Sequence, residues 1–168
     1  NWKTIYEGLS HLAPTVQQSW LAFDHYYSDN SFDKALPIVF AQHPKRLLDI
    51  GGNTGKFALR CVEYDPEVHV TIADLPGQLR MMKEFIAGKT GAERIDGYAI
   101  DQLDAQATLP REAWDVIWMS QFLVCFSEDE IYTILSRAAA VMSSQTRLFI
   151  MDLFWNLQRS ETAALCLT

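Results

Sequence analysis

The sequence predicts an α/β protein: an open, mostly parallel sheet with helices on both faces, preceded by a short helical segment. Three observations carry that prediction. The apolar run Leu47-Leu48-Asp49-Ile50 breaks into the turn Gly51-Gly52-Asn53-Thr54-Gly55 and then into the helix-like residues 56–64, which is the order strand, tight loop, helix. Further strand-like runs at residues 68–73, 95–100, 115–119 and 147–152 alternate with helical stretches, so the sheet should be parallel with right-handed crossovers. The chain has 168 residues, 49% hydrophobic and 21% charged, which suits one globular domain with enough chain for a core.

Composition also excludes some functions. A net charge of -7 argues against broad contact with a nucleic-acid backbone or an anionic membrane, since both need basic patches; small neutral or cationic substrates fit better. The three cysteines, Cys61, Cys125 and Cys166, are odd in number and sit in apolar runs typical of buried thiols, which points to a reducing, cytoplasmic setting. His11, His25, His43 and His69 are scattered, so no metal site is expected. No leader or membrane-length apolar run is visible, although Asn1 is not a translation start and leaves room for a removed leader or a further domain.

Residues 1–45 read as a helical cover or linker ahead of the sheet domain at 46–168. Trp2, Ile5, Tyr6 and Leu9 have helical spacing, Pro14 opens a second helix through Val16, Trp20 and Phe23, and Phe32, Leu36, Val39 and Phe40 form a third with a kink or a late start at Pro37. The aromatics Trp20, Phe23, Tyr26, Tyr27 and Phe32 serve either a packed cover or a substrate lid.

The glycine turn is the candidate site. A loop from a buried parallel strand into a helix offers unpaired backbone N–H groups and the positive end of the helix dipole. Gly51, Gly52 and Gly55 permit close approach of a ligand, and Asn53 is the non-glycine residue that best tolerates a left-handed conformation. The spacing fails as a P-loop, being one residue short with Phe57 in place of the hydroxyl, and fails as a dinucleotide fingerprint, with Asn53 and Lys56 at glycine positions. A tight connection without a ligand is the alternative.

The remaining elements follow in order. Phe57 with Cys61 and Ala58 with Val62 form the buried face of the helix after the loop. Asp74 ends the second strand about 25 residues after Asp49, where a doubly wound fold places an acid on ribose hydroxyls; otherwise Asp74-Leu75-Pro76 merely caps the helix at 76–87. Asp101 and Gln102 follow the third strand, and Ser120 opens the loop 120–126 at the carboxyl edge of the sheet. Ser127-Glu128-Asp129-Glu130 is a capping box before a helix with Ile131, Ile134, Leu135 and Ala138 on its apolar face. Trp155 and a helix-like stretch at 160–167 close the chain.

Asp49-Ile50-Gly51-Gly52-Asn53-Thr54-Gly55 resembles the first motif of the class I S-adenosylmethionine-dependent methyltransferases, with Asn53 in place of the usual middle glycine. A carboxylate beside the loop repels pyrophosphate but suits a ligand with an ammonium and a sulfonium. Ala22-Phe23-Asp24-His25-Tyr26-Tyr27-Ser28-Asp29-Asn30-Ser31-Phe32 resembles the A-F-x-x-x-x-x-D-x-x-F stretch of the small-molecule O-methyltransferases of plant and bacterial secondary metabolism.

The resemblance implies a Rossmann-like fold and S-adenosylmethionine as cofactor. It implies a cofactor-binding set of Asp49, Gly51, Gly52, Asn53, Gly55, Asp74, Leu75, Asp101, Gln102 and Ser120, with Asp101 beside the adenine ring. It also implies a small-molecule methyl acceptor, a homodimer through a winged-helix region absent from this chain, and two further sheet strands beyond its end. The family's base histidine in L-H-D-W-S-D-E falls at Val124, which takes no proton, so the catalytic base is not identified. Two other readings stay open: a non-catalytic binding or interaction domain, and a nicotinamide-dependent oxidoreductase supported by the general fold alone.

Overall fold

The structure is a computed structural model that describes residues 8, 11–152 and 154, with the backbone alone at residues 18 and 21–29. The expected first helix at Trp2 to Leu9, the side chains of Phe23, Tyr26 and Tyr27, and the stretch from Trp155 through Cys166 lie outside the described residues.

Helix α1 (Pro14–Val39) is continuous over 26 residues, where the sequence reading expects two helices. Residues 24–32 contain neither proline nor glycine to interrupt it, and Pro37 falls in the final turn, where the helix is about to end. The alternation of strand and helix then appears as expected: β1 (Arg46–Ile50), α2 (Lys56–Tyr64), β2 (His69–Asp74), α3 (Pro76–Ile86), β3 (Ile95–Ala99), β4 (Val116–Ser120), α4 (Glu128–Ala139) and β5 (Arg147–Met151). Each observed boundary lies within about two residues of the expected one, the usual uncertainty of element ends.

All four strand pairings are parallel and the order is β3-β2-β1-β4-β5. Side chains alternate across the sheet with period two. Leu47, Val70, Ile72, Val116 and Trp118 pack with Phe32, Leu36 and Val39 of α1, Phe57, Ala58, Cys61 and Val62 of α2, and Met82 and Ile86 of α3. Leu48, Ile50, Ala73, Ile117 and Met119 pack on the opposite face with Ile134 and Ala138 of α4, Leu109 and Trp114. Helices therefore cover both faces, and α1 belongs to the same core as the sheet.

The strand order creates the feature that matters for function. After β1 the chain winds outward through β2 and β3, then crosses back to lay β4 on the other side of β1. Such a reversal opens a crevice beyond the carboxyl ends of the two central strands, because the connections leaving β1 and β4 diverge. No helix among the described residues is long and apolar enough to cross a membrane.

Candidate functional site

The β1 carboxyl end delivers the glycine loop to this crevice. Gly51 and Gly55 hold φ of 76° and 79°, and Asn53 holds 51°, so three of the five loop residues are left-handed. Space is as restrictive as conformation. A Cβ on Gly51 would come within 2.2 Å of Phe122 Cδ2, and one on Gly52 within 2.7 Å of Asp49 Oδ2.

The loop's backbone is less available than the sequence reading expects. The Gly51 N–H donates to Ala73 O at 3.0 Å, the Asn53 N–H to Asp74 Oδ2 at 2.9 Å and the Gly55 N–H to Gly52 O at 2.9 Å. Parallel pairing of β1 with β2 brings the end of β2 against the loop, where its carbonyl and carboxylate take the donors.

Asp49 is 2% exposed on β1, and its Oδ2 has no hydrogen-bond partner. Burial, reinforced by the negative charge of Asp74, pushes its carboxyl up to about 8. Asp74 is half-buried at the end of β2: Oδ1 accepts the Leu75 N–H at 2.7 Å while Oδ2 accepts that of Asn53. Burial raises it to about 6 against the lowering effect of those two donors. It does not cap α3 through its side chain; the N-cap position is Leu75. Cys61, below the loop, is buried and its thiol is pushed well above the ordinary value by burial and by the charge of Asp49.

A cleft of about 970 Å³, its open mouth included, joins these groups to the ends of β3 and β4. Of the predicted residues, Asp49, Gly51, Gly52, Asn53, Asp74, Leu75, Asp101, Gln102 and Ser120 line it. Gly55 does not; it lies under the loop, where a Cβ would meet Met82 at 3.0 Å and Ile72 at 3.2 Å, so its role is close helix–sheet packing. Asp101 is exposed and its Oδ1 accepts the Leu103 N–H at 2.8 Å, forming a turn. Gln102 is buried, and Arg137 of α4 donates to both its Oε1 at 2.7 Å and its backbone carbonyl at 2.9 Å.

Several lining residues escaped the sequence reading. Trp118, which the sequence marks only as a strand residue, stacks on Phe57 with ring centroids 4.2 Å apart and 17° between planes, and both rings line the cleft. Phe32 of α1 packs on Phe57 at 5.0 Å, which makes this aromatic at once core and cleft wall. Gln121 takes φ of 48° at the end of β4, turning the chain so that Phe122 covers Gly51. Gln78, 1% exposed, donates from Nε2 to Asn53 Oδ1 at 3.1 Å. Its spacing with Met82 and Ile86 put it on the buried face of α3, a signal visible in the sequence.

Val124 is 59% exposed in a short turn at Leu123–Cys125 and does not line the cleft. Cys125 does line it and is half-buried, not buried as expected, and Cys61 is a free thiol. The acids Glu128 to Glu130 serve the helix start, with Glu130 Oε2 accepting the Ser127 N–H at 2.8 Å. Among the described residues no group of three or more His, Cys, Asp or Glu is placed to hold a metal ion.

The donor set can be tested for what it would hold. Asp49 Oδ2, Gln102 Nε2, Trp118 Nε1 and Ser120 Oγ are buried without hydrogen-bond partners, and all belong to residues lining the cleft. Each such atom costs free energy unless something pairs with it. Acceptors and donors between aromatic walls, with one buried acid, fit a ligand that carries a cationic amine, hydroxyls and a heteroaromatic ring.

The profile of the O-methyltransferase domain family matches residues 25–167. The chain belongs to that family. Among its curated relatives, the bacteriochlorophyllide d C-20 methyltransferase of Chlorobaculum tepidum is 28% identical over 88% of this chain and 44% of its own length. The O-methyltransferase SfmM3 of Streptomyces lavendulae is 29% identical over 69% of this chain and 33% of its own length. This O-methyltransferase domain thus spans less than half the length of either relative.

Solved structures agree on the fold. The S-adenosylmethionine-dependent methyltransferase SibL, in its apo form, superposes with a TM-score of 0.74 at 24% identity, covering 99% of this chain and 48% of that one. The mitomycin 7-O-methyltransferase MmcR superposes with 0.75 at 22% identity, covering 96% and 46%.

Proposed function

We propose that this domain binds S-adenosylmethionine in the cleft and serves methyl transfer to a hydroxyl of a small molecule. The observation that carries the reading is Asp49, a buried carboxylate with an unpartnered oxygen, next to a loop whose glycines leave no room for side chains. Asp49 would face the ligand's ammonium, which offsets the burial of its charge. Asp74 would accept ribose hydroxyls with its remaining lone pairs, and Gln102 and Ser120 would offer polar contacts at the ends of β3 and β4. Residues 46–168 form the cofactor unit in this reading, with 1–45 as its helical cover.

The bound donor supplies an electrophilic methyl group. What the chain adds is orientation and exclusion of water, since displacement at a methyl carbon mainly needs the two partners held in line. Trp118, Phe57 and Phe122 provide dry walls for this. Val124 takes no proton, so either another group serves as base or the acceptor hydroxyl is acidic enough to lose its own at working pH. A cytoplasmic setting is supported by the free thiol of Cys61.

A second reading, a non-catalytic binder of the same cofactor, is favoured by Val124 itself. Incubation with methyl-labelled S-adenosylmethionine and phenols of graded acidity separates the two. Label in the more acidic phenols supports transfer. Binding of S-adenosylhomocysteine without label in any phenol supports the non-catalytic reading.

A further inference from the structure

Gln78 does work at the cleft that neither core packing nor helix capping explains. It stands in the first turn of α3, the place from which a Gln reaches back to the N-cap N–H. Here that N–H, Leu75's, is taken by Asp74 Oδ1 at 2.7 Å. Gln78 is therefore released from capping, and its Nε2 reaches across to Asn53 Oδ1 at 3.1 Å. The cost is visible, because Gln78 Oε1 stays buried without a partner, whereas an apolar residue on this face would join Leu79 and Met82 in the core.

Asn53 is the residue that needs holding. Its φ of 51° is one that asparagine tolerates better than other side-chain-bearing residues but that still costs more than at glycine, and such conformations persist where their surroundings over-determine them. Two bonds do so: the Asn53 N–H on Asp74 and the Asn53 side chain on Gln78. We propose that Gln78 is a positioning residue that locks Asn53 in its left-handed conformation and so pre-organises the glycine loop for the cofactor. This rests on the cofactor reading above and deepens it: Gln78 acts through Asn53 without touching the ligand. Asn53 and Gln78 work as a pair, because a glycine at position 53 would adopt the same conformation with nothing to hold.

The test is a double-mutant cycle read by calorimetric titration with S-adenosylhomocysteine, with thermal melting measured alongside. Gln78→Met keeps length and volume while removing both amide atoms. It should melt at or above the parent temperature, since an unpaired buried oxygen disappears, and yet bind S-adenosylhomocysteine roughly three- to ten-fold more weakly, as expected for one lost organising hydrogen bond. In an Asn53→Gly background the same Gln78→Met change should alter affinity by less than about two-fold. Gln78→Met binding as tightly as the parent would overturn the proposal. So would an equal loss in both backgrounds, which would mean that Gln78 meets the ligand directly. Absence of S-adenosylhomocysteine binding by the parent would instead remove the cofactor reading, and this inference with it.

Discussion

Replacing Asp49 by Asn should change how stability depends on pH more than it changes stability at acid pH. Asp49 is an acid whose carboxyl is raised in the folded state, from 3.8 to about 8, chiefly by burial. Between those values the folded protein holds a proton that the unfolded chain has lost, so stability falls as pH rises, by about 1.4 kcal/mol per unit. The contribution is intact below pH 4 and has been lost by about pH 8. Asp74 follows the same sign over a narrower window, from 3.8 to about 6. The two carboxyls therefore separate on the pH axis. Between pH 6 and 8 Asp49 alone should remove roughly 2 kcal/mol, while most of the Asp74 effect is already complete. Asn keeps the shape and never ionises, so Asp49→Asn should be nearly flat across that interval. Urea unfolding followed by tryptophan fluorescence at pH 6, 7 and 8 measures it. A parent whose stability is level from pH 6 to 8, or an Asp49→Asn variant that falls as steeply as the parent, would refute the reasoning.

Three further outcomes follow from contacts at the cleft. Gly51→Ala combines a φ of 76° with a Cβ placed 2.2 Å from Phe122, whereas Gly88→Ala has a φ of 72° and open space; melting should show the first costing about 2 kcal/mol or more and the second distinctly less. Similar losses would mean that Phe122 moves aside freely. Asp74→Asn removes the charge that serves both the loop and the proposed ribose contact, so calorimetry should give about ten- to a hundred-fold weaker S-adenosylhomocysteine binding. Undiminished affinity together with a lower melting temperature would leave Asp74 only its bracing of Asn53 and Leu75. Val124→Ala, at an exposed position outside the cleft, should keep turnover on acidic phenols within about two-fold. Loss of most turnover with both ligands still bound would give position 124 a role that proton chemistry does not supply.

The parts of this molecule that were legible in its sequence are those written in short stretches. The strand–loop–helix unit from Leu47 to Tyr64 declares itself through local apolar spacing and glycines, and the fold class follows from repeating such units. Asp49, Asp74 and Gln102 stand at or just after strand ends, where doubly wound sheets and the resemblance expect them. What the sequence hid depends on residues brought together from far apart. That the N–H groups of Gly51 and Asn53 are already taken by Ala73 and Asp74 follows from β1–β2 register. The stack of Phe57 on Trp118 joins a helix to a strand some 60 residues later, and the cover of Phe122 over Gly51 needs the positive φ of Gln121. The sequence reading divides α1 because the apolar series through Phe23 and the one from Phe32 read as separate helices, yet residues 24–32 hold no proline or glycine to interrupt it, and Pro37 lies too near the helix end to break it.

The central claim is that the cleft is built for a sulfonium amino-acid cofactor and not for a dinucleotide. Calorimetric titration of the chain with S-adenosylhomocysteine and, separately, with NADH tests it most directly. Saturable binding of S-adenosylhomocysteine at one site per chain, with no heat of binding from NADH at the same concentrations, is the predicted result. Binding of NADH as tight as or tighter than S-adenosylhomocysteine, or binding of neither, would contradict the account.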